Sequence, residues 1–231
     1  MKGKIFKEIY SYKDKNRAKS SIWYFKTGKS EYGEGDKFLG LTMGQQRKIA
    51  KSFLGIDFDD VKILLNSVYH EERMIGLLIL VYKYKNAEGK LKKKIFDFYI
   101  KNKKMVNNWD LVDVTTPNII GDYLKDKDKK LLYIFSKSKN IWEKRMSILA
   151  TFPFIKDGKF EDSFKISKIL LFDEHDLIHK AVGWMLREVG KKNIKELRKF
   201  LDLNKSKMPR TMLRYSIERF PENLRLKYLR K

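Results

Sequence analysis

The chain has 231 residues, 42% of them hydrophobic, so it can bury a sizeable core and is not a disordered tail. Lysine and arginine number 52 against 29 acidic residues, and the formal net charge of +23 points to a polyanionic partner. The absence of cysteine excludes disulfides, cysteine zinc sites and a cysteine nucleophile, and it is typical of a reducing cytosol.

The excess of basic residues has a second explanation, which is a proteome biased toward lysine and isoleucine. Such a bias would raise glutamate together with lysine, whereas the acidic residues of this chain are far fewer than the basic ones. The charge therefore favours the polyanionic partner, and the compositional explanation stays open.

The N-terminal residues MKGKIFKEIYSYKDKN contain no apolar segment typical of a signal peptide. The longest apolar run, Met74–Tyr82, is far too short to cross a bilayer. We therefore expect a soluble, cytoplasmic protein.

Residues 26–40, KTGKSEYGEGDKFLG, interrupt the helical pattern. Their glycines do not match the dinucleotide-binding motif G-x-G-x-x-G, and no strand precedes them. We predict a loop here, without a dinucleotide site.

Most of the remaining chain has the apolar spacing of α-helices, as in VKILLNSVYHEERMIGLLILVYKY at 61–84, and strand patterns are scarce. Asp57 is a predicted N-cap at the start of one helix. Gly190, which is followed by lysines, is a predicted C-terminal cap of another. The sequence therefore predicts an all-α chain.

Similar segments recur at intervals of roughly 30–36 residues, the length of two-helix repeats. They are ERMIGLLIL from Glu72, NNWDLVD near 108, KRMSILATF from Lys144, HKAVGWMLREVG from His179 and PRTMLRYSIERF from Pro209. Such repeats stack into a curved α-α solenoid with a concave face. We predict this superhelical solenoid as a single domain over residues 1–231, and the alternative is an unrelated helical bundle.

Basic residues recur at about one repeat spacing. They are Arg73, Arg145, Lys180 and Arg210. A stacked array could line them along one surface, where they would neutralise the phosphates of a nucleic acid backbone. A single lysine is usually just solvated, so the interpretation depends on the recurrence.

The stretch NNWDLVDVTTPNIIG at 107–121 places Trp109 and Asp113 four residues apart, on one face of a helix. Taken alone, this spacing is more often a core residue beside a surface residue. Trp184 and Arg145 occupy neighbouring repeat positions, so the four side chains could meet on the concave face. Two aromatic rings, a carboxylate and an arginine would suit a cationic ligand beside a phosphate.

The sequence HDLIH gives His175 and His179 the spacing of the zincin helix, but Asp176 replaces the glutamate of that motif. The only other histidine is His70. No G-x-S-x-G motif or P-loop is present. We expect no metal ion and no cofactor.

Four segments in this order resemble the AlkD-like DNA alkylation repair proteins: NNWDLVDVTTPNIIGDYL, WEKRMSILATFPFIKDGKF, AVGWMLREVGK and KMPRTMLRYSIERF. The segment WYFKTGKSEYGEGDKFLG resembles the N-terminal motif of the same family, so the resemblance spans nearly the whole chain. It implies a superhelix of HEAT-like repeats that holds double-stranded DNA in a basic concave groove. It also implies a monofunctional DNA glycosylase that removes cationic alkylated purines, chiefly 3-methyladenine and 7-methylguanine, and leaves an abasic site.

The resemblance implies roles for individual residues. Asp113, Trp109 and Trp184 would form the catalytic site against the damaged nucleotide. Arg145 would contact the DNA backbone, and Tyr24 matches the N-terminal aromatic position of the family. Repeat position suggests four more DNA contacts, which are Lys156, Lys180, Arg187 and Arg210.

Alkylation gives the purine a positive charge, so the base leaves without a general acid to protonate it. Asp113 alone could then stabilise the oxocarbenium-like sugar and place the attacking water. The family is understood to act without a pocket for the flipped base, so we expect neutral lesions such as uracil or 1,N6-ethenoadenine to be poor substrates.

We expect a monomer that associates with the nucleoid through DNA. One alternative is a non-catalytic DNA-binding or damage-recognition protein on the same scaffold. A second is a helical-repeat scaffold for protein or RNA partners.

Overall fold

A computed structural model describes residues 2–230. In this range the secondary structure is helical, and the isolated β-bridge between Lys37 and Tyr69 does not extend into a strand. The predicted all-α class is confirmed. The chain groups into two compact units, 1–115 and 116–231, which are described separately, and the single domain stays a prediction.

Unit 1 begins with two short helices and ends in the helix that carries the tryptophan and aspartate of the sequence motif. Its helices are α1 (Lys2–Ser11), α2 (Lys15–Tyr24), α3 (Met43–Ser52), α4 (Phe58–Leu65), α5 (His70–Lys85), α6 (Gly89–Lys101), a 3-10 turn (Lys103–Met105) and α7 (Trp109–Thr116).

Helix α5 forms the centre of unit 1 and packs against α3, α4 and α6. The stretch 61–84, which has apolar residues at helical spacing, spans two helices, because the chain leaves the helix between α4 and α5. There the backbone pairs with the preceding loop, because Lys37 N–H donates to Val68 O at 3.0 Å and His70 N–H donates to Lys37 O at 2.8 Å. The predicted cap of α4 is confirmed, since an Asp57 carboxylate oxygen accepts from Asp60 N–H at 2.8 Å.

The apolar run Met74–Tyr82 lies inside α5, where Met74 to Val81 are all buried. None of the helices within residues 2–230 is both long enough and apolar enough to cross a membrane.

Unit 2 continues from α7 through a π-helical turn (Pro117–Gly121). Its remaining elements are α8 (Asp122–Leu124), α9 (Lys130–Ser136), α10 (Ile141–Leu149), α11 (Phe152–Lys156), α12 (Glu161–Ile169), a 3-10 turn (Leu170–Phe172), α13 (Asp176–Lys192), α14 (Ile194–Asn204), a 3-10 turn (Lys205–Lys207), α15 (Arg210–Ser216) and α16 (Glu222–Leu229).

Helix α13 is the central element of unit 2, since α10, α11, α12, α14 and α15 all pack against it. Its apolar residues, from Ile178 through Val189, are buried at helical spacing. Short helices that pack on a central neighbour in this way are typical of a helical-repeat fold.

The prediction that Gly190 caps a helix is wrong. Helix α13 continues through this residue to Lys192, and the side chain of Asn193 caps the next helix instead by accepting from Lys195 N–H and Glu196 N–H. A Cβ at position 190 would lie 2.5 Å from Leu197 Cδ2. The glycine therefore lets α14 fold back closely against the end of α13, which is a packing role that sequence alone does not separate from a cap.

Candidate functional site

Helix α7 begins at Trp109, so Trp109 and Asp113 lie in its first two turns. The start of the helix is fixed by Asn108, whose side-chain oxygen accepts from Trp109 N–H at 2.8 Å. Both Trp109 and Asp113 are half-buried. Their spacing of four places them on one face of α7, as the motif predicted.

An aromatic cluster surrounds the Trp109 ring. Phe25 stacks on it with ring centroids 5.5 Å apart, and Tyr24 meets it edge-on at 5.8 Å. Tyr24 is 58% exposed, so it forms an open rim beside Trp109. The structure thus brings together two of the residues that the resemblance named for the site, Tyr24 and Trp109.

A buried ionic network lies next to this cluster and is built around His70, the first residue of α5. Its Nε2 lies 2.8 Å from Asp110 Oδ2, and its Nδ1 lies 3.2 Å from Asp36 Oδ2. The imidazole also packs against Phe25 and Phe38, with ring centroids 4.8 and 5.0 Å away. Since Asp110 belongs to α7, His70 fastens the start of the Trp109 helix to α5.

Two carboxylates around one imidazole change its protonation. Burial lowers the pKa of His70, but the charge and hydrogen bond of Asp110 together with the hydrogen bond to Asp36 outweigh it and raise the pKa to about 9. The ring is therefore an imidazolium at neutral pH and donates to both carboxylates. Burial raises the pKa of Asp36, but the His70 hydrogen bond and the charge of Arg73 prevail and hold it below its usual value.

The expectation that Arg73 joins a row of basic residues at a surface is wrong. Arg73 is 3% exposed and forms a buried ion pair with Asp36, with Nη2 and Oδ1 2.6 Å apart. Its Nη1 donates to Ser67 O at 3.0 Å. A buried guanidinium needs such partners because an unpaired charge in the interior is costly, so Arg73 serves the packing of unit 1.

The loop at 26–40 is confirmed, and its far end is held by a buried carboxylate. Glu71 on α5 accepts backbone N–H bonds from Leu39 at 3.0 Å, Gly40 at 2.7 Å and Leu41 at 3.3 Å. Gly40 adopts φ +89°, and a Cβ there would lie 2.1 Å from Asp14 O. These contacts hold the loop between α2 and α5, and the loop places Asp36 in the ionic network.

Trp184, the second predicted site tryptophan, lies half-buried on α13. Its ring is tilted against Phe152 at a centroid distance of 6.2 Å, and its Nε1–H donates to Glu188 Oε1 at 3.1 Å. The preceding Gly183 lets α15 approach, because a Cβ there would lie 2.4 Å from Tyr215 Cβ and 2.7 Å from Met212 O. Close packing therefore sets the position of the Trp184 helix.

Arg145 lies on α10 and is 5% exposed. Its Nη1 donates to Leu177 O in the first turn of α13. This bond ties α10 to the start of the Trp184 helix. The expectation that Arg145 lines a basic surface is therefore wrong, as it is for Arg73, and the DNA contact that the resemblance implies for Arg145 stays a prediction.

The four further basic residues differ in how available they are. Lys156 is exposed, with Nζ 4.6 Å from the Phe152 ring centroid. Arg210 is exposed and donates to Leu229 O at 2.7 Å. Lys180 pairs with Asp176 at 2.6 Å, and half-buried Arg187 pairs with Glu218. The last two would have to exchange a carboxylate for a phosphate in order to contact DNA.

The histidines of HDLIH have structural partners. His175 Nδ1 accepts from Leu177 N–H at 3.1 Å and so caps α13, and His179 Nε2 donates to Asp173 O. Among residues 2–230, no group of three or more acidic or histidine side chains is arranged to hold a metal ion.

The sequence did not predict a role in the site for His70, Asp36 and Phe25, which together support the Trp109 helix. Asp36, His70 and Asp110 are far apart in sequence, and no local motif connects them. The available signal was compositional, since a lone histidine at the start of an apolar helix needs polar partners when it is buried.

Comparison with known proteins gives a family match over most of the sequence and a similar fold among solved structures. The family model described as DNA alkylation repair enzyme matches residues 5–220. No protein with curated function matches the sequence. A solved structure titled "Predicted DNA alkylation repair enzyme from Enterococcus faecalis" superposes with a TM-score of 0.71 at 13% identity, covering 91% of this chain and 97% of that one; at this identity it shows a shared helical-repeat fold. Because the family model matches most of the sequence, the chain belongs to the DNA alkylation repair enzyme family, whose partner is DNA.

Proposed function

We propose that this protein is a monofunctional DNA-alkylpurine glycosylase that hydrolyses the N-glycosidic bond of cationic purines, such as 3-methyladenine and 7-methylguanine, in double-stranded DNA. The observation that carries the proposal is the Trp109 helix, on which a carboxylate and an aromatic ring share one face while a buried ionic network holds the helix start. Such backing supplies the rigid placement that catalytic groups need.

The chemistry requires little beyond this placement. When the bond between the sugar C1′ and the purine nitrogen breaks, its electron pair stays with the purine and neutralises the positive charge of the base. The deoxyribose becomes oxocarbenium-like, and a water oxygen then bonds to C1′ and loses a proton. The products are a neutral free base, an abasic site and one proton.

Asp113 is the residue proposed to act on the sugar. Its carboxylate would stabilise the positive charge that develops at C1′ and accept the proton of the attacking water. The cationic base needs no general acid, so one carboxylate is sufficient where other glycoside hydrolases use two.

The aromatic residues are proposed to bind the damaged nucleotide. Trp109, with Phe25 stacked behind it and Tyr24 at its rim, offers a fixed ring face that attracts a cation. Trp184 is proposed to do the same from α13, and Arg145 to contact a backbone phosphate. Lys156 and Arg210 are exposed and suit weaker phosphate contacts that position the DNA.

The first experiment measures release of free 7-methylguanine from a duplex, comparing wild type with Asp113→Asn. We expect release by wild type and a loss of at least about 100-fold in the variant, the scale of removing one preorganised electrostatic group, with duplex binding retained. Asp59→Asn is the matched control, because Asp59 is exposed in the first turn of α4. Tight duplex binding without release by wild type would instead establish the non-catalytic alternative.

A second measurement tests how the substrate is selected. If the lability of the cationic base governs selection, the enzyme should release 7-methylguanine far faster than uracil or 1,N6-ethenoadenine from the same duplex sequence. Efficient uracil excision would overturn this explanation, because a neutral base must be protonated or recognised by its edges.

A further inference from the structure

Helix α2 is unusual because none of its residues is buried. From Lys15 to Ser30 the chain carries five basic residues and no acidic one. A short helix without a buried face gains little from packing, so its sequence is free to serve another purpose. The excess of basic residues in this segment suits contact with an anion.

The end of α2 exposes large apolar side chains in succession. Ile22 is 48% exposed, Trp23 84% and Tyr24 58%. Together with Lys19 and Lys26 they form a surface that we call the α2 surface. These side chains line a groove of about 600 Å³, to which Gly28 and Glu31 also contribute. An exposed apolar patch flanked by lysines is a mark of a binding surface.

Glu31 is the one acidic residue among those that line this groove. Glu31 Oε2 accepts from Gly28 N–H at 2.8 Å and closes its own turn. Lys19 and Lys26 form no ion pair within the described part of the chain. The groove therefore presents two available ammonium groups beside one open indole face.

The backbone at Lys26 gives independent support. Lys26 N–H donates to Trp23 O at 3.2 Å, and Thr27 N–H donates to Ile22 O at 3.3 Å, which is the Schellman pattern of a helix end. Lys26 sits at the left-handed position of this motif, with φ +50°. Glycine is the least strained residue there. A lysine at this position places a positive charge next to Trp23 despite the backbone strain.

We propose that the α2 surface binds an unstacked nucleotide of DNA, with the base on the Trp23 ring and the flanking phosphates at Lys19 and Lys26. A base inside a duplex is covered on both faces, so an exposed indole can be used only by a base that has left the stack. Such bases occur in single strands, gaps and frayed ends. The proposal rests on DNA as the partner but not on the glycosylase reaction.

The test measures binding of undamaged DNA, so it does not depend on base release. Wild type should bind a short single strand in a way that quenches the red-shifted fluorescence of exposed Trp23. Trp23→Ala should weaken single-strand binding at least about fivefold, the scale of one lost base–aromatic stack, and weaken duplex binding less than about twofold. Leu203→Ala, which removes another exposed apolar side chain on α14, should change neither.

Variants of Lys26 and Lys19 separate a role in DNA binding from a role in stability alone. Lys26→Gly should raise the melting temperature, because it relieves the strained backbone, and yet weaken single-strand binding. Ser30→Gly is the matched control, since Ser30 also has a positive φ of 64°; it should stabilise without affecting binding. Lys19→Gln should lower the salt dependence of single-strand binding by about 0.7 in the log–log slope, which corresponds to one phosphate.

Three outcomes would overturn the proposal. The first is that Trp23→Ala binds the single strand as tightly as wild type does. The second is an equal loss of single-strand and duplex binding, which would assign Trp23 to an ordinary duplex contact. The third is Lys26→Gly matching Ser30→Gly in both stability and binding. In the first case, a loss of binding to anionic vesicles by Trp23→Ala would assign the α2 surface to a membrane.

Discussion

The two helices that carry the proposed site residues are held in place by different interactions. Helix α7, with Trp109 and Asp113, is fastened by buried charges, because His70 bridges Asp110 and Asp36. Helix α13, with Trp184, is held by close packing, because Gly183 has no Cβ and α15 can pack directly against its backbone. The charge of a side chain changes with pH, whereas close packing does not. The stability contributed by the contacts of α7 should therefore depend on pH, and that contributed by the contacts of α13 should not.

The largest expected effect comes from removing the charge at the centre of the α7 support. His70→Phe keeps a ring beside Phe25 and Phe38 but leaves two buried carboxylates without their shared cation. We expect the free energy of unfolding to fall by roughly 3–5 kcal/mol, the scale of breaking a buried ion pair, as measured by urea denaturation at neutral pH. His175→Asn, which keeps an N-cap side chain at an exposed position, should have almost no effect.

The pH dependence of stability tests the same region without a mutation. The folded-state pKa of His70, about 9, lies above its ordinary value of 6.5. A raised histidine pKa adds stability that is fully present below pH 6.5 and lost as the pH rises through about 9. The loss should approach roughly 3 kcal/mol and be absent from His70→Phe. Parallel loss of stability in wild type and variant over this range would contradict the ionic account of α7.

Gly183 provides the corresponding test for α13. In Gly183→Ala the new Cβ would lie 2.4 Å from Tyr215 Cβ and 2.7 Å from a backbone oxygen, so helix α15 must move. We expect a loss of about 1–3 kcal/mol, without pH dependence between about 6.5 and 9. Gly44→Ala is the control: it lies in helix α3, where a Cβ meets only Thr42 Oγ1 at 3.8 Å, and should stabilise by up to about 1 kcal/mol.

The smallest effect is expected at Gly190, where the crowding neighbour is the end of a side chain and not backbone. A Cβ there would meet Leu197 Cδ2 at 2.5 Å, and a small shift of this methyl group relieves the contact. The helix preference of alanine offsets part of the cost, so Gly190→Ala should change stability by less than about 1 kcal/mol. A loss as large as that of Gly183→Ala would mean that the end of α13 is as tightly packed as its middle.

The sequence predicts a feature well when the interaction that causes it joins residues close together in the chain. The cap at Asp57 depends on a side chain and an N–H three residues away, and the shared face of Trp109 and Asp113 depends on helical spacing alone. The prediction for Gly190 is wrong because the sequence around a glycine near a helix end is the same whether the glycine caps the helix or makes room for a neighbouring helix.

The burial of Arg73 was equally invisible. Its recurrence with other basic residues suggested a row of surface charges, yet its partner Asp36 lies in a loop far from it in sequence. Periodicity tells which residues share a helix face but does not tell what covers that face.

By itself, the sequence determined the helical class, the repeat-like spacing, the positive charge and the motifs that identify the family, because these follow from composition and short-range order. The tertiary structure alone decided that His70 is a buried cation between Asp36 and Asp110, that Phe25 and Tyr24 pack on Trp109, and that Trp23 stays exposed. Each of these depends on contacts between residues distant in the chain, where the folded backbone, and not the sequence spacing, sets the distance.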